Sequence, residues 1–307
     1  MLFGWNEMNI VDFFYKIRNW WMVFYDSENR KAVEKVMNKW VPYYFRICDS
    51  RSLPSRRQGR KLIVSLTTIP ERIGQVWIPI ECMFRQTYKP DKILLWLDRD
   101  RFQDVVLPKE LQRLLNKGLE IKWCKDVGVH TKYYYVLQEY RHDVVITIDD
   151  DVFYKSDTIE KLLQTYRKHK NCICAHWVRE IKFSNRNNIV YDKFPCFLLE
   201  KVQLEPSHNY IALGVGGVLY PPNCLDKRTF EIKCAKSLSE NADDIWLKAM
   251  EIISGLKVAK VDGKFAPNVL VENTQEVSLN SKNVHKNVNA IYIGNVFDKY
   301  ELWDMLE

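Results

Sequence analysis

Asp149, Asp150 and Asp151 stand together at the end of the apolar run Val144-Val145-Ile146-Thr147-Ile148. A β-branched run bounded by polar residues reads as a buried strand. Three carboxylates where such a strand leaves the core repel one another and lose hydration, so one of them must take up a proton unless positive charge arrives. A divalent cation resolves that conflict, and hard carboxylate oxygens suit Mg²⁺ or Mn²⁺. Strand alternation sends Asp149 and Asp151 to one side and Asp150 to the other. The alternative is an aspartate capping a helix near Ser156 beside two solvated turn residues. Open α/β sheets bind ligands at the carboxyl ends of their strands, which favours the ligand reading. A second pair, Asp243 and Asp244, opens an amphipathic helix over Asp243 to Ser254. A helix cap and the helix dipole account for one of these carboxylates, not for two.

The elements that must position these groups alternate from Lys61 onward. The pattern predicts strands at Leu62–Leu66, Lys92–Leu97, Leu119–Trp123 and Val144–Ile148, with helices at Gln75–Tyr88, Lys109–Asn116 and Thr131–Tyr140 between them. A helix at Thr158–His169 and a strand at Cys172–Trp177 follow. An irregular stretch from Arg179 to about His208 leads to the Gly-rich Leu213–Val218, then to the helix at Asp243 and a strand at Lys257–Val261. Strands separated by helices imply an α/β fold with a doubly wound, mostly parallel sheet. No internal repeat or low-complexity tract interrupts it. The expected divisions are 1–60 as a helical extension, 61–295 as the main domain with halves meeting at 155/156, and 296–307 as a C-terminal helix.

The chain of 307 residues carries a net charge of +7, and the segment through Lys61 alone holds +6 of it. The near-neutral remainder argues against a nucleic-acid-binding body and for a basic N-terminal attachment device. Phe3 to Tyr25 is dense in aromatics but interrupted by Asp12, Lys16 and Arg18, so it neither spans a bilayer nor serves as a signal peptide. Ile10, Phe13, Phe14, Ile17, Trp20, Trp21 and Phe24 share one helical face. A second helix, Glu28–Trp40, ends before Pro42, and the basic Arg51–Lys61 reads as a linker. The aromatic face with nearby basic residues suits an anionic membrane surface. The other reading is a helical hairpin packed on the body or on a second subunit of a homo-oligomer. Eight cysteines without a Cys-x-x-Cys pair suit reduced, buried thiols in a cytoplasmic protein.

A dinucleotide-binding fingerprint is excluded, because the first strand is followed by Thr67-Thr68-Ile69-Pro70-Glu71-Arg72 and Gly214-x-Gly216-Gly217 has the wrong spacing and place. No Walker lysine motif is present. The residues from Leu62 to Arg72, Gln86-Thr87-Tyr88-Lys89-Pro90, Leu94–Leu97, Thr147–Asp151, Gly214–Pro222 and Ala242–Lys248 together resemble GT-A-fold glycosyltransferases related to family 2, of bacterial capsule, exopolysaccharide and lipopolysaccharide assembly. The resemblance runs from about Lys61 to Ile293 and leaves the first sixty residues outside.

The resemblance implies a hexosyltransferase-type enzyme with a nucleotide-sugar donor, most often UDP-linked, held through Mn²⁺ or Mg²⁺ by an Asp-x-Asp motif. It implies a glycan acceptor, commonly lipid-linked, and a place on the inner face of the bacterial cytoplasmic membrane. Asp149 would lie near the donor ribose and metal, Asp150 on the donor side, and Asp151 on the metal, with His285 as a further candidate ligand. Thr67, Pro70, Arg72, Asp98 (or Asp100), Lys125, Asp126 and Lys132 are the candidate contacts to base and diphosphate. Gly214, Gly216 and Gly217 would let backbone approach the donor sugar. Asp244 is assigned as the base that takes the acceptor proton, with Asp243 as second choice and an inverting outcome. A nucleotidyl- or phosphosugar-transferase and a non-catalytic scaffold of a glycan-synthesis complex are the competing functions.

Overall fold

The β-branched runs become β1 (Leu62–Thr67), β2 (Lys92–Asp98), β3 (Leu119–Cys124) and β4 (Val144–Thr147). A computed structural model describes residues 9–23, 27–54, 59–182, 189–196, 204–263, 267–274 and 287–306. With β6 (Cys172–Ala175), β9 (Val218–Tyr220) and β10 (Lys257–Lys260) the four strands form one sheet in the order β10-β6-β9-β4-β1-β2-β3. All pairings are parallel except those of β9, which runs antiparallel to both β4 and β6. The α/β, mostly parallel architecture is the expected one. β9 lay unseen inside the Gly-rich segment, because three residues show no periodicity.

Alternation along the strands builds two cores. Val64, Leu66, Leu95 and Leu97 face one layer, and Ile63, Leu94 and Trp96 face the other. The first layer is covered by α1 (Ile10–Val23), α2 (Ser27–Ile47), α3 (Trp77–Phe84), α4 (Lys109–Leu115) and α7 (Thr158–Lys168). The second lies under α5 (Thr131–Tyr134), α6 (Val136–Glu139), α8 (Ile232–Ser239), α9 (Asp243–Ile253) and α10 (Val288–Lys299). The helix expected over Thr131–Tyr140 is therefore two short helices meeting at Tyr135. α10 straddles the boundary expected at 295/296. Two small antiparallel pairs complete the fold: β5 (Val152–Phe153) with β11 (Val269–Leu270), and β7 (Val178–Glu180) with β8 (Tyr210–Ala212).

The N-terminal helices pack on the body. In α1, Val11, Phe14, Tyr15 and Arg18 are buried. The Tyr15 hydroxyl donates to Phe153 O at 2.7 Å and accepts from Val269 N at 2.8 Å. Asp12 Oδ1 accepts from Ser156 N at 3.0 Å. The α1 face expected to meet lipid thus holds part of the core, while Trp21 and Phe24 lie outside the described side chains. α2 runs through Pro42 instead of ending before it. An internal proline removes one helical hydrogen bond at a cost of roughly 3 kcal/mol. Burial of Met37, Val41, Pro42 and Phe45 on the body outweighs that cost. Among the described residues no helix is long and apolar enough to cross a membrane. None of the eight cysteines is in a disulfide.

Candidate active site

The chain passes from β1 outward to β2 and β3, then returns to place β4 on the other side of β1. Such a reversal opens a crevice at the carboxyl ends of the two inner strands. Thr67 and Thr68 leave β1 there, and Asp149, Asp150 and Asp151 leave β4 there.

The three aspartates sit in a turn, because β4 closes at Thr147. Alternation therefore does not sort them as expected. Asp150 and Asp151 share one guanidinium, with Arg72 Nη1 2.8 Å from Asp150 Oδ1 and 3.2 Å from Asp151 Oδ2. Thr68 Oγ1 donates to the other Asp150 oxygen at 2.5 Å. Burial pushes the Asp150 carboxyl pKa up, against the pull of Arg72 and Thr68. Asp150 is thus a structural anchor of the turn, not a free donor contact. None of the three caps α7. That helix receives Gln86 Oε1 on Ile159 N at 2.9 Å instead.

Asp149 turns the other way, toward Lys132 at the start of the second-layer helices. Lys132 Nζ lies 2.9 Å from Asp149 Oδ1 and 3.0 Å from Asp243 Oδ2. Burial alone would depress this ammonium, but Asp149, Asp243 and Asp244 outweigh it and hold its pKa well above the ordinary lysine value. Ser65 Oγ donates to Lys132 O at 2.6 Å and itself accepts from Trp96 Nε1 at 3.0 Å, so two strands fix the lysine's backbone. The Tyr154 hydroxyl accepts from Asp149 N at 2.9 Å and lies 3.3 Å from Val215 O, tying the turn to the Gly-rich segment. The sequence reading missed Ser65, Thr68 and Tyr154. Only the polarity of Ser65 within an otherwise apolar strand marked any of them.

α9 brings the second carboxylate pair. Its N-cap is Ala242, with Asp243 and Asp244 as the first two helical residues, so neither carboxylate is the cap and Asp243 is an ion-pair partner of Lys132. Asp244 accepts from Gly214 N at 3.1 Å and 3.3 Å through its two oxygens. Burial, then the charge of Asp243, holds its carboxyl well above the usual carboxylate range, with Lys132 opposing. A side chain on Gly214 would lie 2.7 Å from Lys132 Nζ and 3.3 Å from Asp244 Oδ1. Gly214, then, is the glycine that meets the charged cluster. A side chain on Gly216 would instead lie 2.7 Å from the Trp177 ring, so this glycine serves packing. Gly217 serves a turn at φ +86°.

The remaining expected contacts fall in different places. Thr67 Oγ1 donates to Trp96 O at 2.9 Å and joins β1 to β2. Pro70 opens the short helix Pro70–Arg72 and sets the approach of Arg72. Asp98 accepts from Arg101 N at 2.7 Å and from Asp126 N at 2.6 Å, so it knits the ends of β2 and β3. Asp126 accepts from Gly128 N at 2.7 Å. Beside them Asp100 and Lys125 line a cleft of about 450 Å³ with Arg99, Trp123 and Cys124. Trp123 exposes 45% of its surface there, enough to stack a flat ring. His285 lies outside the described residues.

A divalent cation fits the turn after β4 by donor chemistry, since Asp149 and Asp151 offer hard oxygens at the crevice. Among the described residues no three His, Cys, Asp or Glu side chains gather into a closed metal site. Mg²⁺ and its relatives are commonly held by one or two carboxylates, with phosphate oxygens and water completing the shell.

The model of the family described as glycosyl transferase family 2 matches residues 79–216, a little under half of the chain. No curated protein matches by sequence. Among solved structures, Staphylococcus aureus TarS 1-349 is similar at 12% identity and TM-score 0.44, over 67% of this chain and 59% of that one. The chain therefore spans under two thirds of the TarS chain. A mannosyltransferase from Pyrobaculum calidifontis, in complex with GDP-Man and Mn²⁺, is similar at 13% identity and TM-score 0.48, over 88% and 74%. CMP:2-keto-3-deoxy-manno-octonic acid synthetase complexed with CTP follows at 11% identity and TM-score 0.38, over 68% and 91%. The stretch that carries Asp98, Lys132, the Asp149–Asp151 turn and Gly214–Gly216 is thus similar to glycosyl transferase family 2, on an α/β, GT-A-like sheet.

Proposed function

We propose that the protein is a metal-dependent, inverting glycosyltransferase that moves a sugar from a UDP-sugar to a growing bacterial surface glycan. The observation that carries this reading is the convergence of Asp149 and Asp244, far apart in sequence, on the Lys132 ammonium in the crevice where the family 2 match lies.

Asp149 and Asp151 would hold the divalent cation, which when bound offsets the negative charge growing on the departing diphosphate. Lys132 adds a fixed positive charge beside that position and holds Asp149 in place. The cleft lined by Trp123, Arg99 and Lys125 takes the nucleoside base. Asp244, oriented by Gly214 N, accepts the proton of the acceptor hydroxyl. The freed oxygen forms its bond to the anomeric carbon as the bond from that carbon to the diphosphate breaks. A carboxyl held above its usual range is a stronger base than a solvated one and is better matched to proton transfer near neutral pH.

Thermal shift with UDP, GDP, CDP and dTDP, each with and without Mn²⁺, tests the reading. UDP with Mn²⁺ should give the largest rise. A larger rise with another nucleotide moves the donor class, and no rise with any of them rejects the function.

A further inference from the structure

The second helix carries a surface that the body leaves uncovered. On α2, Val36, Trp40, Tyr43 and Ile47 recur at steps of four, three and four, which places them in one row. They expose 45%, 51%, 52% and 61% of their surface, while Met37, Val41 and Phe45 on the opposite face are fully buried. Trp40 and Tyr43 meet edge to face with ring centres 5.9 Å apart. Lys35, Lys39 and Arg46 are exposed and form a second row beside the apolar one. Arg46 also pairs with Glu110 at 2.7 Å. No acidic residue occurs from Lys35 to Ile47. Asn38 fixes the orientation of this face, donating to Leu270 O at 3.1 Å and accepting from Glu272 N at 2.8 Å.

We infer that this face of α2 docks the protein on an anionic lipid bilayer, with the apolar row entering the interface and the basic row at the headgroups. Contiguous exposed apolar surface is uncommon on a monomer and marks an interaction site. Tryptophan and tyrosine favour the headgroup level, where one end of the ring is apolar and the other wet. An all-basic row beside them complements anionic headgroups. A second copy of the chain is a poorer occupant, because an antiparallel twofold contact of the α2 rows would set the two basic rows against each other. In the α1 row described above, Phe14 belongs to the core. This inference is independent of the transfer reaction.

Flotation of the full chain with vesicles of phosphatidylcholine alone, and of phosphatidylcholine mixed with phosphatidylglycerol, tests it. Binding is expected on the mixed vesicles only and should weaken as salt screens the basic row. Trp40→Ser with Ile47→Ser, and separately Lys35→Glu with Lys39→Glu, should each lower binding roughly tenfold or more. Because all four positions are exposed, both variants should keep the wild-type melting temperature. On the unaltered protein, brominated lipids in the mixed vesicles should quench tryptophan fluorescence, and Trp40→Phe should remove part of that quench. The inference is overturned if the full chain ignores the mixed vesicles, or if both paired variants bind like wild type. It is equally overturned if the apolar row proves to mediate a dimer that Trp40→Ser dissociates.

Discussion

Two carboxylate clusters flank the same turn and are built to opposite ends. In the first, Arg72 spans Asp150 and Asp151 while Thr68 satisfies a further oxygen, and the group is almost closed to water. In the second, a single ammonium on Lys132 faces Asp149, Asp243 and Asp244. Counted as ionised, the first holds one negative charge in excess and the second two. The first arrangement fixes the turn, with Asp150 held from two sides by Arg72 and Thr68. The second retains unbalanced charge and a carboxyl with a raised pKa, the condition from which proton transfer and cation binding draw their energy.

Arg72→Met breaks the first cluster and should have the largest effect. Removing one partner of a buried ion pair costs about 3–5 kcal/mol, because the remaining carboxylates stay buried without compensation. Urea unfolding measures that loss, and a change below 1 kcal/mol would mean that the cluster is a solvated pair. Asp151→Asn probes the seam between the clusters, where the proposed function asks one carboxylate to serve both turn and cation. Calorimetric affinity for UDP in Mn²⁺ should fall roughly a hundredfold, about 2.7 kcal/mol, with affinity in EDTA unchanged. Equal affinities for the variant and wild type in Mn²⁺ would remove Asp151 from the metal.

The strands were legible to within a residue or two, because Leu62–Thr67, Lys92–Asp98 and Val144–Thr147 are buried on both faces and read as continuous apolar runs. β9 was not, being three residues inserted antiparallel between β4 and β6. The end of α2 was misread because local proline chemistry predicts a stop, while packing of Pro42 and Phe45 is a tertiary effect. Sequence singled out the aspartates as a group, and the structure brings them to one crevice. It could not sort them, since the sorting depends on Arg72 and Lys132, which arrive from other strand ends. Gly214 was separable from Gly216 and Gly217 only once Asp244 and Trp177 were placed against them.

A smaller effect sharpens the second cluster. Gly214→Ala adds a methyl group against Lys132 Nζ and Asp244 Oδ1, and this position does not lie in the left-handed region. It should lower turnover about tenfold by shifting the reacting groups while leaving the fold intact. Unaltered turnover would show that the lysine is free to move. The smallest effect near neutral pH is linkage to buried histidines. Burial lowers His130 to about 4 and His176 to about 3, so both stay neutral in the fold while the unfolded chain protonates below about 6.5. Stability from these groups is complete above about 6.5 and falls as pH drops toward about 4. Urea midpoints that rise over that interval would contradict the burial of both rings.

The most direct test pairs turnover with nucleotide binding in Asp244→Asn. The substitution keeps shape and the contact with Gly214 N while removing the proton acceptor. Turnover should fall about a hundredfold or more, the scale of a lost general base, with UDP affinity in Mn²⁺ unchanged. The wild-type rate should fall on the acid side at a pH above the usual carboxylate range, because burial raises that carboxyl. A variant that keeps most of its turnover, or loses turnover and nucleotide binding together, would contradict the assignment of the Lys132 cluster as the reacting centre.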